Sequence, residues 1–258
     1  MNQIPPVWVV SLERATDRRA FVREVFEPLR IPYEIVDAVD GYALDDRQLA
    51  QCSELRALFR YGERLRPGIL GCSLSHLEAY RRMVSEDIPE VVIVEDDARP
   101  SPDFGRVLTE LEAVPSDCDV LTFHSLFEWA APTPVNDSII AGKYRICTFG
   151  RTPMGTQAYL ITQAAARRVL KVAYPVCLPS DELLFRARPA RLTVYGVDPS
   201  PVTHGAFDSE IHAIRSQSPV ESEALSPIQR AISLAGRAER RILSVRDGIQ
   251  RRWPASPG

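Results

Sequence analysis

Residues 7–12 read VWVVSL, a short β-branched and aromatic run, and the charged stretch ERATDRRAFVREVFEPLR follows with apolar positions at helical spacing until Pro28 and Pro32. This pattern predicts a strand and then a helix. Residues 33–41, YEIVDAVDG, predict a second strand that ends at an Asp-Gly turn. The chain therefore opens as a βαβ unit with parallel strands. Residues 42–67 are polar and mixed. Two glycines then open GILGCSLSHLEAYRRMVSEDIPE, in which Leu74, Leu77, Tyr80, Met83 and Val84 recur at helical spacing, and this helix feeds a buried strand at VVIV, residues 91–94. Further strands are predicted at DVLTFHSLF (119–127), at TQAYLIT (156–162) and around ARLTVYGV, with a helix at QAAARRVLKVA. The expected fold class is α/β, a single domain over residues 1–205 with a mixed, mainly parallel sheet.

The last segment has a different pattern. After a linker at 206–225, residues 226–258 place Ile228, Ile232, Ala235, Ala238, Ile242, Val245, Ile249 and Trp253 three to four positions apart among seven arginines and two acids. This predicts a basic amphipathic helix as a tail. Such a helix either packs on its own domain or a second subunit, or lies peripherally on an anionic membrane surface. The net charge of -3 divides into -8 before Ser226 and +5 after it. No strong global attraction to nucleic acid is expected.

With 45% hydrophobic and 25% charged residues, the 258-residue chain has an ordinary globular balance. Its five cysteines form no C-x-x-C pair. Neither a disulfide framework nor a cysteine zinc motif follows from their spacing, and a reducing, cytoplasmic home is expected. The opening MNQIPPVWVVSLER shows neither a basic leader nor an apolar run long enough for a signal peptide or a membrane span.

The chemistry concentrates where the strand VVIV runs into Glu95-Asp96-Asp97. Adjacent carboxylates repel and lose hydration on burial unless a cation or hydrogen-bond donors hold them. In open α/β sheets ligands bind beyond the carboxyl ends of the strands, where carboxylates at i and i+2 suit Mg²⁺ or Mn²⁺ sharing its shell with phosphate. The same residues read equally as a charged turn.

The ordered blocks VVSLERATDRR, IVDAVDG, GILGCSLSHLEAYRRM, VVIVEDDA and GTQAYLIT resemble glycosyltransferase family 25, the group of lipooligosaccharide galactosyl- and glucosyltransferases that includes collagen galactosyltransferase domains. The resemblance covers about residues 7–204. It implies a Rossmann-like fold of the GT-A type, a divalent Mn²⁺ or Mg²⁺ cofactor, a UDP-hexose donor and inversion at the anomeric carbon. The acceptor it implies is a surface saccharide, lipid-linked in some settings. The glycine fingerprint of dinucleotide-binding enzymes is absent.

Carried over residue by residue, the family's acidic motif falls on Glu95, Asp96 and Asp97. The resemblance assigns Asp97 to metal, Glu95 to metal or ribose, and His204 to a late metal position. Ser11, Leu12 and Arg14, with Asp37, Ala38 and Val39, would border the donor nucleotide. Arg14, Arg18 and Arg19 would meet phosphate, although Arg19 reads as readily as part of a solvated face. The family's Ser-His pair falls on Ser75 and His76, which places His76 against the acidic loop or the donor phosphate. One departure stands out: the family's Gly-Glu-x-Gly-Cys appears as Gly68-Ile69-Leu70-Gly71-Cys72.

Direct displacement needs a base for the acceptor hydroxyl, and LPSDELLF supplies Asp181 with Glu182 beside it. Asp181 reads equally as a helix N-cap. Gly155, Thr156 and Gln157 would line the acceptor side. Two other functions compete with transfer: nucleotide-sugar binding without turnover, to which the Ile69 departure points, and metal-dependent nucleotidyl transfer. The lack of a glycine-rich, lysine-containing phosphate loop counts against the latter.

Overall fold

A computed structural model describes residues 4–124, 132–149, 154–186, 190–205 and 225–252. Its eight-stranded sheet has the order β2-β1-β3-β8-β5-β9-β7-β6. The strands are β1 (Val7–Ser11), β2 (Glu34–Asp37), β3 (Glu90–Glu95), β5 (Val120–Thr122), β6 (Pro132–Pro134), β7 (Arg145–Phe149), β8 (Ala158–Thr162) and β9 (Val194–Asp198). β1 pairs in parallel with β2 and β3, as does β5 with β9, whereas β8 and β7 run against their neighbours. Six of the eight strands thus point the same way. A separate pair, β4 (Ala98–Pro100) with β10 (Val202–His204), is antiparallel.

Alternation along the central strands sorts the core into two layers, because successive side chains of a strand point to opposite faces. Val7, Val9, Val92 and Val94 pack with Phe21, Val22, Val25 and Phe26 of α1 (Thr16–Phe26) and with α5 (Phe104–Thr109). Trp8, Val10, Val91 and Ile93 pack under Leu74, Leu77, Tyr80 and Met83 of α4 (Pro67–Ser85) and under Val169 of α6 (Gln163–Ala173). All five residues of β1 are buried, as expected of a strand covered by helices on both faces.

Some local expectations change. β2 stops at Asp37, short of the expected Gly41: Ala38 N–H donates to Ser11 O, and the next amide, Val39 N–H, is taken by the Ser75 side chain of α4. The polar segment 42–67 holds two short helices, α2 (Asp46–Ala50) and α3 (Glu54–Arg60). Asp45 and Gln48 form a capping box on α2, and Ser53 caps α3. Residues 125–127 of the expected 119–127 strand and 206–224 of the expected linker lie outside the described residues.

The tail is helical, as α7 (Pro227–Arg252), and its first half packs on α3. Ser233 Oγ donates to Gly62 O at 3.0 Å and Gln229 Nε2 to Glu54 Oε1 at 2.9 Å. A Cβ on Gly236 would sit 1.9 Å from Phe59 O, so only glycine permits this approach. Among the described residues no helix is long and apolar enough to cross a membrane.

Candidate active site

The register pairs Val10 with Glu95, so the carboxyl ends of β1 and β3 lie side by side and bring Ser11 to Glu95, Asp96 and Asp97. A cleft opens there between the strand ends and the start of α4. Of the expected donor residues, Ser11, Leu12, Arg14, Arg18, Ala38 and Val39 line it, and so do His76 and all three acids. Asp37 does not. Its largely exposed side chain pairs with Arg19.

Close packing of α4 on the loop after β2 shapes this cleft. A Cβ on Gly71 would lie 2.6 Å from Gly41 N and 2.7 Å from Val39 O, and one on Gly41 would lie 1.7 Å from Pro67 O. The glycines admit the start of α4, and Ser75 pins the contact by accepting from Val39 N–H at 2.8 Å while donating to Gly71 O at 2.6 Å.

The three acids have three different environments. Asp96 is clamped: Ser11 Oγ donates to Oδ2 at 2.7 Å and Arg18 Nη1 to Oδ1 at 2.6 Å. Glu95 accepts from Thr156 Oγ1 at 2.5 Å and faces His76 Nε2 at 3.4 Å. Burial raises its pKa, but His76, Thr156 and His204 together bring it below the ordinary carboxylate value. Asp97 is buried with Oδ1 lacking any hydrogen-bond partner. Burial, and then repulsion from Glu95, push its carboxyl up to about 6. An acceptor in that state fits a hard divalent cation, which would replace its lost water.

The cleft also carries the opposite need. Arg66 lines it, and its Nη1 is buried without a partner. Arg14 is instead bound to Asp40 at 2.7 Å and Arg18 to Asp96. Sequence reasoning passed over Arg66 because it stands in the segment read only as polar and mixed.

The remaining expected residues, Gly155, Thr156, Gln157, Asp181, Glu182 and His204, do not line the cleft. Thr156 is buried and bonded to Glu95 and, at 3.0 Å, to Ser180. Gln157 Nε2 lies 3.4 Å from His204 Nε2, with Gln157 Oε1 buried and unpartnered. Gly155 N–H reaches Asp181 Oδ2 at 3.5 Å, and Asp181 Oδ1 accepts from Glu182 N–H at 2.8 Å, a local contact of the capping kind. Exposed His204 acts through space on Glu95 and Asp97.

Among the described residues, one group of possible metal ligands closes to within 4.8 Å, and it is Cys72, His76 and Glu95 rather than Glu95, Asp97 and His204. Cys72 was not singled out, although its spacing of four from His76 puts both on one helix face. His76 Nδ1 meets Tyr159 OH at 2.6 Å. Burial opposes charge on His76, but Cys72 and Glu95 outweigh it and raise the imidazole to about 10.

Comparison with known proteins places the chain in a family. The family model described as glycosyltransferase family 25 (LPS biosynthesis protein) matches residues 4–184. Procollagen galactosyltransferase 1-A of Xenopus laevis is 28% identical over 69% of this chain and 30% of its own length. The probable inactive glycosyltransferase 25 family member 3 of Bos taurus is 30% identical over 69% of this chain and 31% of its own. The chain thus spans less than a third of these relatives. A solved glycosyltransferase involved in glycosylation of the major capsid of PBCV-1 aligns over 66% of each chain at TM-score 0.33 and 10% identity. The match over residues 4–184 takes in the strand ends, the α4 contact and the acidic turn that build the cleft, and on it this chain belongs to glycosyltransferase family 25.

Proposed function

We propose that this chain transfers a hexose, galactose or glucose, from a UDP-sugar to a hydroxyl of a lipopolysaccharide- or lipooligosaccharide-type acceptor, with inversion. One observation carries the reading. A buried carboxylate oxygen that lacks a donor (Asp97 Oδ1) and a buried guanidinium nitrogen that lacks an acceptor (Arg66 Nη1) belong to walls of the same cleft. A metal-bound diphosphate satisfies both.

In this reading Glu95 and Asp97 hold Mn²⁺ or Mg²⁺, while Arg66 donates to the phosphate oxygens. The ion, when bound, stabilises charge gathering on the departing diphosphate. Ser11 and Arg18 hold Asp96, which fixes the turn carrying its neighbours. Asp181 takes the proton of the acceptor hydroxyl as that oxygen bonds to the anomeric carbon. The carbon–diphosphate bond breaks on the opposite face, and UDP leaves with the electron pair.

The test is UDP release across a panel of nucleotide sugars with a saccharide acceptor, with and without Mn²⁺. Release from one UDP-hexose that depends on metal is expected. Absence of release from every donor overturns the reading. A second reading, donor binding without turnover, draws on Ile69, which lines the cleft where the family pattern carries glutamate. Metal-dependent donor binding with no release would select it.

A further inference from the structure

We infer that Cys72, His76 and Glu95 form a thiophilic metal site for Zn²⁺, distinct from the hard-cation position at Asp97 and sharing only Glu95 with it. The donor set is sulfur, nitrogen and oxygen, all within 4.8 Å of one another. Three protein ligands with one position left open is the pattern of zinc sites that are not purely structural. His76 Nε2 and Glu95 Oε1 are 3.4 Å apart, longer than a good hydrogen bond. Two ligands each about 2.0–2.1 Å from a tetrahedral zinc lie about 3.4 Å apart.

Each ligand also has an outer partner that orients it. Tyr159 OH meets His76 Nδ1 at 2.6 Å, so His76 Nε2 is the nitrogen turned to the site. Thr156 Oγ1 donates to Glu95 at 2.5 Å, and Ser180 Oγ lies 3.4 Å from Cys72 Sγ. Such second-shell contacts fix ring and carboxylate orientation around a metal. All three ligands line the cleft, which leaves the fourth position open to water. Zinc binding releases the proton of the Cys72 thiol and that of His76 Nε2 into solution.

The site does not depend on the transfer reading, but its consequence does. Zn²⁺ would draw Glu95 away from the hard cation and inhibit transfer in competition with Mn²⁺.

The test uses the full chain with Co²⁺ and Zn²⁺ alone, without donor. Co²⁺ is expected to give a thiolate-to-cobalt charge-transfer band that Zn²⁺ abolishes, that Cys72→Ser lacks and that Asp97→Asn keeps. Cys72→Ser should weaken Zn²⁺ binding by about 100-fold or more, beyond the 10–100-fold of a lost outer-shell contact. In the wild type, Zn²⁺ should slow alkylation of Cys72 by iodoacetamide, mapped by mass spectrometry against the other four cysteines. That measurement needs no variant to fold. An absent band, a band retained in Cys72→Ser, or alkylation of Cys72 indifferent to Zn²⁺ overturns the site and leaves an ordinary His76–Glu95 ion pair. UDP release without metal binding here would separate this failure from that of the transfer reading.

Discussion

Asp97 burdens the metal-free protein. Its folded pKa of about 6 lies above the ordinary 3.8, so the native state holds the proton more tightly than the unfolded chain. Stability therefore falls as pH rises from about 4 to about 6, and the full penalty stands above that. Asp97→Asn should stabilise the metal-free protein above neutral pH by on the order of 1–3 kcal/mol, seen as a raised Tm, with the gain vanishing near pH 4. It should also abolish stabilisation by Mn²⁺. Calorimetry across pH with and without metal checks both, and an unstabilised variant would remove the buried-charge account. Arg66→Met should raise the donor KM by about 10- to 100-fold with a smaller change in kcat, as expected for one lost charge-assisted hydrogen bond. An unchanged KM would take Arg66 off the phosphate. The carboxylates were legible because a buried apolar strand running into three acids is locally anomalous. Arg66 was not, since an arginine in a polar stretch looks solvated until the fold buries one of its nitrogens.

Among the elements, α4 decides the shape of the donor side. Gly71→Ala puts a methyl 2.6 Å from one backbone atom and 2.7 Å from another, neither of which can swing aside. α4 must retreat, breaking the Ser75 contact to Val39. The expected result is a loss of about 1–3 kcal/mol together with a raised donor KM. Wild-type Tm and KM would show that the loop after β2 yields freely. The helix itself was readable from its apolar period, as was β1 from its unbroken β-branched and aromatic run. α2 and α3 were not, because five- and seven-residue helices are too short to display a period, and their capping residues Asp45 and Ser53 occur as often in plain turns. The proline-bearing β6, Pro132–Pro134, resembles a loop for the reason that makes it an edge strand: proline has no amide to offer a further neighbour.

For the molecule as a whole, the docking of α7 on α3 divides the tail in two. Deleting 226–258 should uncover α3 and give a destabilised, aggregating protein, whereas deleting 240–258 keeps Gln229, Ser233 and Gly236 in place and removes five of the seven tail arginines. If those arginines meet an anionic bilayer, the shorter deletion should keep its fold and lose salt-sensitive sedimentation with anionic vesicles. Equal vesicle binding in both proteins would end that proposal. Six of the eight main-sheet strands were visible along the chain, but β7 was not, nor were the short β4 and β10, and strand neighbours were hidden altogether: nothing local to residues 156–162 says that β8 inserts antiparallel between β3 and β5. That insertion also sets a timetable. On a ribosome the β1–β2–β3 unit is complete by Glu95, yet β3 keeps a bare edge until β8 emerges more than sixty residues later, several seconds at about 5–20 residues per second. During that interval Glu95 lacks Thr156, and an exposed strand of valines and isoleucine is open to pairing with another nascent chain. The lining of the cleft is thus synthesised early, from Val10 to Asp97, but the strand that backs it waits for its neighbour, and folding in a cell should be sensitive to what shields that edge while the ribosome catches up.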